Sequence, residues 1–565
     1  MKKLNIIYEI YFFCLLAILI SITSCNKKLD DKLSLIPQDQ VSDLTAWTSE
    51  STADLFLNDI YGKLFDGNNT WDGLDNFADN SMCGLFWPSS KSSVVKLRQY
   101  NPINVPEFRI GYNDNTVLTF EWAHQYSFIR KCNVFIQKVN QNAENFSSSW
   151  RTERLAEARF FRALFYHNLW LAYGELPIIT VPLDLSTQGD SIYVARSVQG
   201  GTYKFITDEL AAIANDLPVK ASTYGRITKG AALTLKGWVE LFNHNFTESA
   251  ATNKQVMDLG VYSLNADYAS IFLPSGKVNN EGILFRQYEK GEGLGGRQLR
   301  GPTFDKNGVE VCWGGVGPSQ QLVDDYSMSN GMAITDPGSG YNPQDPYSNR
   351  EPRFYQSIVT DGSMFNGAIY YSRIGIGSPN ELDVNERNDG SNTGYGLRKG
   401  VDTANLGSPN WGGATSTENY YFFRYADVLL NYAEAKIESS QIDKSVYDAI
   451  NLIRTRSKIP TVEATYGSGL SQSKLRDIVR KERRIELAFE NKRYWDLIRW
   501  KTAELFLNQP INAIKITIGP GGVLNYTVVP AFNGDRKFDA SKNYLFPIWQ
   551  FIIDQNKKIT QNPGY

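Results

Sequence analysis

Histidine and cysteine are scarce in this 565-residue chain, and their scarcity limits the sites that it can build. The three histidines form no HExxH motif and no His/Cys cluster with the spacing of metal ligands. The five cysteines include no CxxC pair, and those beyond the N-terminal leader are odd in number and widely spaced. These are Cys83, Cys132 and Cys312. We therefore expect no metal site, no cofactor and no disulfide framework.

An excess of positive charge is also missing. The chain has 58 lysines and arginines against 60 aspartates and glutamates, so we expect no nucleic-acid partner. The GxxxxGK[ST] and GxSxG motifs are absent. A GxGxxG spacing occurs at Gly291, Gly293 and Gly296, but a dinucleotide site needs a helix there, and Arg297 to Pro302 continues as loop. This spacing is interpreted as a loop.

The N-terminus has the features of a targeting segment. Two lysines precede the uncharged run Ile10 to Ser24, whose apolar part is too short to span a bilayer. Small residues precede Cys25, an order that resembles the lipobox of bacterial lipoproteins, in which the cysteine is acylated. We predict a lipoprotein signal peptide at 1–24, lipidation at Cys25 and a polar, lipidated tether at 25–40. The alternative is a plain secretory signal in which Cys25 is incidental.

Helical periodicity dominates the remaining chain. Predicted helices are Thr45 to Phe65, Val117 to Val139, Arg151 to Tyr173, Thr202 to Asp216, Thr228 to Phe242, Arg424 to Glu438 and Ser445 to Arg456. Since paired amphipathic helices need neighbours to cover their apolar faces, we expect a mostly α, tetratricopeptide-like superhelix. The block 267–419, rich in Gly, Pro, Asn and Tyr, is expected to add long loops and short strands on one side of this frame.

Residues 473–500 are here called the hub. Their pattern predicts a helical hairpin whose first helix carries one charged residue on its apolar stripe. The stripe consists of Leu475, Ile478, Val479, Ile485 and Phe489. Glu482 lies on the same face and needs a cation if it is buried. The nearby candidates are Arg480, Arg483, Arg484 and Arg493. Asn491 is expected to form the turn, because Asn tolerates the left-handed conformation that ends helices.

The hub glutamates Glu482, Glu486 and Glu490 have the spacing i, i+4, i+8 and invite comparison with the paired carboxylates of glycosidases. All three lie on one predicted helix among several arginines, so ion pairing is the simpler interpretation and no catalytic residue is predicted. The predicted structural ion-pair residues are Glu482, Arg483, Arg484, Glu486 and Arg493.

Aromatic residues in loops are the candidate ligand-binding residues. Seven stand in Gly/Asn/Ser-rich stretches outside the helical stripes: Trp71, Phe86, Trp87, Tyr112, Tyr288, Trp313 and Tyr341. An exposed ring in such a loop can stack on a sugar face, while neighbouring polar side chains bond hydroxyl groups. We select Trp87 and Trp313 first, followed by Trp71, Arg98 and Tyr288.

Several stretches resemble the SusD/RagB family of Bacteroidetes outer-membrane lipoproteins. The resemblance rests on KERRIELAFENKRYWDLIRW in the hub, AEARFFRALFYHNLWLAYGELPII at Ala156 to Ile179, GRITKGAALTLKGWVELF at Gly225 to Phe242 and FFRYADVLLNYAEAK at Phe422 to Lys436. PYSNREPRF, INLIRTRSKIP and the C-terminal end follow in the order of the family. Asn491 stands where the family usually has Gly, and Trp549 replaces a common Pro.

The resemblance implies a single SusD-like domain at 41–565, with an N-terminal part at about 41–245 and a C-terminal part at about 300–565. It implies a surface-exposed outer-membrane lipoprotein that binds oligosaccharide or polysaccharide and delivers it to a SusC-like TonB-dependent transporter. No catalysis is implied. An oligopeptide-binding, RagB-type uptake lipoprotein is the alternative, and a surface glycosidase is a more distant one.

Overall fold

The computed structural model describes residues 45–64, 74–83, 97–98, 100–103, 120–289, 300–305, 307–382, 391–407 and 417–565. The predicted signal peptide and tether lie outside these residues, as does the GxGxxG spacing at 291–296. Five residues singled out from the sequence also lie outside the described residues: Cys25, Trp71, Phe86, Trp87 and Tyr112.

The structure describes seven helices in the N-terminal part, and all of them except the short fourth one stack largely in chain order. They are α1 (Glu50–Tyr61), α2 (Trp122–Gln141), α3 (Ser148–Tyr173), α4 (Leu185–Gln188), α5 (Gly201–Ile213), α6 (Lys229–Phe242) and α7 (Phe246–Asp258). Helix α2 packs on α3, α3 on α5, α5 on α6 and α6 on α7. Each of these helices thus covers an apolar face of its neighbour, which confirms the predicted tetratricopeptide-like frame.

Local sequence explains where several of these helices begin and end. Ser49 and Thr228 occupy the N-cap positions of α1 and α6, and their hydroxyls accept backbone N–H groups of the first turn. Gly174 follows α3 with a φ of 71°, a conformation that glycine adopts without strain. Helix α3 therefore ends where the sequence predicts its end.

Helix α7 is missing from the sequence prediction because much of its buried face is small and polar. The Ser249 hydroxyl donates to the Gly237 carbonyl of α6 at 2.7 Å. A Cβ atom at Gly237 would lie 2.6 Å from the Asn253 amide nitrogen, so the two helices approach closely. Hydrophobic periodicity does not reveal a contact of this kind.

Short strands and helices connect the N-terminal frame to the C-terminal helices. In the described residues they are β1 (Ser81–Met82), β2 (Gly282–Arg286), β3 (Gly317–Pro318), α8 (Gln320–Asp325), α9 (Pro352–Ser357), β4 (Ile358–Val359), β5 (Met364–Phe365), β6 (Ala368–Ile369) and β7 (Gly396–Leu397). Antiparallel pairs join β1 to β3, β4 to β7 and β5 to β6. The predicted excursion of loops and short strands is confirmed.

The C-terminal part returns to helices. Its elements are β8 (Tyr420–Arg424), α10 (Tyr425–Glu438), α11 (Lys444–Arg456), α12 (Val462–Tyr466), α13 (Gln472–Glu486), α14 (Arg493–Arg499), α15 (Ala503–Phe506), β9 (Asn512–Ile518), β10 (Leu524–Pro530) and α16 (Gln550–Gln555). Helix α10 packs on α7, α11 and α13, while β8 pairs with β2 and β9 with β10. Strand β8 and the β9–β10 hairpin were not predicted. None of the helices in the described ranges is both long enough and apolar enough to cross a membrane.

The hub helix α13 lies between two apolar cores. Leu475 and Val479 belong to the core of the stacked helices. Ile485, at the other end of α13, belongs to a second core that also contains Phe354 of α9 and Ile516 of β9. The hub therefore joins the helical frame to the strand-containing excursion.

The turn after α13 has the predicted left-handed residue at Asn491, but Phe489 lies in the turn rather than on the helix. The helix ends at Glu486, so Phe489, which the periodicity places on the helical stripe, follows it with a φ of 63°. Phe489 is buried in the second core. Asn491 has a φ of 62°, which confirms the predicted left-handed turn before α14.

Candidate functional site

Distant arginines neutralise the hub glutamate Glu482. Its carboxylate pairs with Arg353 of α9 at 2.6 Å and with Arg454 of α11 at 3.4 Å. The sequence favoured arginines of the hub itself, and that expectation is wrong. Glu482 contacts α9 and α11 instead, and both of its arginine partners are buried with it.

The hub arginines pair instead with acids on other elements. Arg483 bonds Asp496 of α14 at 2.8 Å, whereas Arg484 and Arg493 both bond Asp79, at 2.9 and 2.7 Å. Asp79 lies just before β1. These charges are buried and connect the hub to the N-terminal part of the chain.

Glu486 and Glu490 lie in the same buried cluster. Glu486 pairs with Arg353, Arg424 and Arg456 at 2.5–2.8 Å. Burial by itself raises the pKa of Glu486, but Arg456, Arg424 and Arg353 hold that pKa well below its usual value. The pKa of Glu490 is likewise lowered: Arg424 opposes the effect of its burial. A glycosidase acid needs a raised pKa, so these two carboxylates have the electrostatics of structural ion pairs.

Trp313 lies on an irregular two-stranded ribbon formed by residues 300–305 and 307–316, here called the Trp313 ribbon. Its two sides are joined by an antiparallel bridge between Phe304 and Glu310 and by a 3.0 Å bond from the Gly314 N–H to the Gly301 carbonyl. The Asp305 carboxylate accepts backbone N–H groups of the turn that connects the sides. The Trp313 side chain is partly buried, so part of it stays open to solvent.

Two described segments, one close to Trp71 in sequence and one close to Trp87, form hydrogen bonds with residues that follow Trp313. Strand β1, which ends five residues before Trp87, pairs with β3 at residues 317–318. Asn76, five residues after Trp71, donates its side-chain N–H to the Gly315 carbonyl at 2.9 Å. The two anchor points are therefore neighbours of the Trp313 ribbon.

Arg98 and Tyr288 lie in other surroundings. The Arg98 guanidinium sits 4.8 Å from the centre of the Phe538 ring, and its Nε donates to the Lys537 carbonyl. The Tyr288 side chain is 1% exposed and packs with Tyr420. The expectation of a ligand-facing ring at Tyr288 is corrected, because the strand pair β2–β8 carries it into the interior.

A cleft that sequence reasoning missed adjoins the turn of the Trp313 ribbon. It has a volume of about 560 Å³ and lies between the β5–β6 hairpin and residues 376–380, with Phe304 and Asp305 at one end. The one sequence signal is the pair Asn366-Gly367, a typical two-residue hairpin turn. The position of the cleft beside the ribbon depends on long-range packing.

The described residues contain no group of three His, Cys, Asp or Glu side chains arranged to hold a metal ion. Cys132 and Cys312 are buried free thiols, and Cys83 is buried as well. Burial raises the pKa of Cys132 and of Cys312 well above the usual thiol value, which disfavours the reactive thiolate.

Two family models match the chain. The model described as SusD family matches residues 280–565, and the one described as starch-binding associating with outer membrane matches residues 43–239. A curated relative, SusD-like protein P2 of Formosa agariphila, is 25% identical over 486 residues, which cover 82% of this chain and 83% of that protein.

Solved structures from Bacteroides fragilis have the same fold. A SusD-like protein superposes with a TM-score of 0.77 at 26% identity, covering 94% of this chain and 100% of that chain. A SusD-like carbohydrate-binding protein superposes with a TM-score of 0.71 at 27% identity, covering 91% of this chain and 100% of that chain.

Proposed function

Because this chain belongs to the SusD family, we propose that it is a surface-exposed outer-membrane lipoprotein that binds oligosaccharide or polysaccharide for nutrient uptake. The family model that matches residues 43–239 is described as starch-binding and associating with the outer membrane. A structural neighbour at 27% identity is described as a carbohydrate-binding protein. These similarities support a glycan as the class of ligand.

The observation that carries this proposal is the Trp313 ribbon. Trp313 is partly open to solvent, and segments adjoining Trp71 and Trp87 in sequence bond to residues 315–318. A ring held on a hydrogen-bonded ribbon loses little conformational freedom on binding, and aromatic faces stack well on the apolar faces of sugars. We assign sugar stacking to Trp313, Trp87 and Trp71.

Binding without turnover is the proposed activity. Glu486 and Glu490, two of the three hub glutamates considered as catalytic acids, are buried and ion-paired, and neither has a raised pKa. A charge held in this way has neither the proton of a general acid nor access to a sugar ring.

Delivery to a SusC-like TonB-dependent transporter completes the proposal. Lipidation at Cys25 anchors the chain, and the polar tether 25–40 holds the folded part off the membrane surface. The order Ile22, Thr23, Ser24, Cys25 supports the anchor. Membership of the SusD family supports the transporter as the partner.

A binding screen tests the ligand class. Calorimetric titration of the chain beginning after Cys25 uses a panel of dietary and host polysaccharides and a mixture of oligopeptides. We expect a polysaccharide to bind and to be recovered uncleaved. Binding of peptides with no polysaccharide bound would favour the RagB-type alternative, and cleavage of a bound glycan would favour a glycosidase.

A further inference from the structure

The cleft beside the Trp313 ribbon has the size of a ligand site. Its volume of about 560 Å³ lies within the range of roughly 300–1,000 Å³ that is usual for binding pockets. The β5–β6 hairpin forms one wall, residues 376–380 form the other, and Tyr371 borders the space between them. All the residues that line it belong to the described part of the chain.

The hairpin wall has a well-defined turn and a mostly apolar lining. Asn366 and Gly367 form its turn with φ values of 48° and 72°, the positive pair that a tight hairpin turn of this length requires. Met364 and Ile369 are directly opposite each other on the two strands. Their side chains are 58% and 47% exposed, which is a large apolar surface for a short hairpin.

The opposite wall is fixed by a buried carboxylate. Glu381 accepts the backbone N–H groups of Gly375, Ile376 and Gly377 at 3.2, 2.9 and 2.6 Å. Burial alone raises the pKa of Glu381, but these N–H groups lower it, so the carboxylate stays ionised and holds the loop. Neither wall needs to be ordered by a ligand.

The end of the cleft is tied to the Trp313 ribbon. The Asn380 side chain accepts the Phe304 N–H at 3.2 Å and donates to the Phe304 carbonyl at 2.8 Å. Phe304 is bridged to Glu310, which precedes Trp313 by three residues. At about 3.4 Å per residue, the three residues from Glu310 to Trp313 span no more than roughly 10 Å along the ribbon.

Tyr371 presents a prepositioned ring and a hydroxyl to the cleft. The Arg373 guanidinium lies 4.7 Å from the ring centre and is itself fixed by Asp361 at 2.6 Å. The Tyr371 hydroxyl makes no hydrogen bond to the described residues, whereas its backbone carbonyl accepts from the Ser378 hydroxyl at 2.7 Å. The hydroxyl is therefore open to a ligand.

The few charged residues in the lining of the cleft favour an uncharged ligand over an anionic one. Asp305 is the one acidic residue among those that line the cleft, and no lysine, arginine or histidine lines it. One oxygen of the Asp305 carboxylate already accepts the N–H groups of Asn307 and Val309. No cation belongs to the lining itself, although Arg373 stacks on the Tyr371 ring and Arg398 donates to the Met364 carbonyl. The exposed apolar surface and the polar groups of the lining match a sugar ring with its apolar faces and hydroxyl rim.

We propose that this cleft is a second subsite for an uncharged oligosaccharide segment, and that one glycan chain contacts both the cleft and Trp313. The inference rests on the proposed glycan-binding function. It extends the contact surface beyond the loop tryptophans to Tyr371, Met364 and Ile369.

The test uses two substitutions with matched controls. Tyr371→Ala removes the ring, and Ala368→Trp fills the space beside the hairpin. Tyr193→Ala, just after α4, and Ala211→Trp, at an exposed position of α5, repeat the same chemical changes on the N-terminal helical frame. Thermal melting checks that each variant is folded.

Affinity electrophoresis of the chain beginning after Cys25 uses laminarin, pullulan, xyloglucan, galactomannan and arabinoxylan, with acidic pectin as the charged comparison. For a neutral polysaccharide that the unaltered chain binds, we expect both cleft variants to lose about tenfold in affinity, which corresponds to about 1.4 kcal/mol, while the controls bind normally.

Equal binding by the unaltered chain and both folded cleft variants would overturn the cleft subsite and leave the proposed function intact. Binding of pectin alone, lost in the cleft variants, would overturn the uncharged class of ligand. If the unaltered chain binds none of these polysaccharides, the proposed function falls and the subsite falls with it.

Discussion

Arg353 and Glu486, 133 residues apart in the chain, are joined in the interior by a 2.8 Å hydrogen bond between Arg353 Nη1 and Glu486 Oε2. Arg353 also pairs with Glu351 and Glu482. Since α9 carries Arg353 and α13 carries Glu482 and Glu486, the cluster fastens the loop-rich excursion to the C-terminal helices. The stability of the excursion, and of the candidate site on it, therefore depends on these buried charges.

Arg353→Met is expected to destabilise the chain strongly. The substitution leaves the buried Glu351 without its salt-bridge partner and removes one cation from Glu482 and from Glu486, which costs about 3–5 kcal/mol in the free energy of unfolding. Urea unfolding near neutral pH measures the loss. The control is Arg159→Met, which breaks a pair with Glu209 that is partly exposed, and which should cost no more than about 1 kcal/mol. Equal losses in the two variants would contradict the assignment.

Acid should destabilise the chain through Glu434. Burial by itself raises the pKa of Glu434, but the Arg499 guanidinium beside it lowers that pKa to about 2. A lowered folded pKa gives stability that is complete above the unfolded value near 4.3 and is lost as the pH falls towards 2. Glu434→Gln should cost roughly 3 kcal/mol near neutral pH and flatten the acid decline. Urea titrations at about pH 7, 4 and 3 measure the free energy of unfolding. If that free energy falls with acid as steeply in Glu434→Gln as in the unaltered chain, Glu434 is not the group responsible.

Trp313→Ala and Trp87→Ala should weaken glycan binding about tenfold each, because each removes one stacking face, and leave the melting temperature nearly unchanged. Calorimetric titration with the polysaccharide found in the screen measures the affinity. Trp549→Ala, a partly exposed tryptophan beside α16, is the matched control. A large drop in melting temperature would instead identify the two rings as core residues.

Cys25→Ala should release the chain from membranes. Acyl chains contribute about 0.8 kcal/mol per buried CH₂ group, so removing the acylated residue removes the predicted anchor. Fractionation of cells that lack the partner transporter gives the cleanest measurement. Retention of the variant in their membrane fraction would show that another part of the chain binds the membrane.

Asn491→Gly should lower stability even though glycine adopts a positive φ without strain. The Asn491 side chain accepts the buried Leu74 N–H at 2.9 Å and donates to the Tyr420 hydroxyl at 3.0 Å. Leaving these groups unsatisfied costs about 1–3 kcal/mol. Asn491→Ala should cost more, because it adds left-handed strain of about 1 kcal/mol. Urea unfolding compares the two variants, and wild-type stability in Asn491→Gly would show that the family's usual Gly is equivalent here.

Local features of the sequence were sufficient for the helical frame. Apolar periodicity located α3, α6 and α10 to within a few residues, because a helix that covers one neighbour repeats its contacts every three or four residues. Asn491 predicted its turn correctly, because the tolerance of Asn for a positive φ is a property of the residue itself. Helix α7 was missed because it packs through small polar residues. The β9–β10 hairpin was not predicted although Gly519 to Gly522 forms a strong turn signal between two alternating runs.

The sequence by itself determined the family, the helical frame and the need for a cation near Glu482, because each follows from residues close together in the chain. Only the tertiary structure decided that Arg353 and Arg454 supply that charge, that Tyr288 is buried while Trp313 is partly exposed, and that a cleft opens beside Phe304. The physical reason is common to all three. Burial and ion pairing are set by which distant segments meet, and a single sequence records the charge or ring without recording its neighbour.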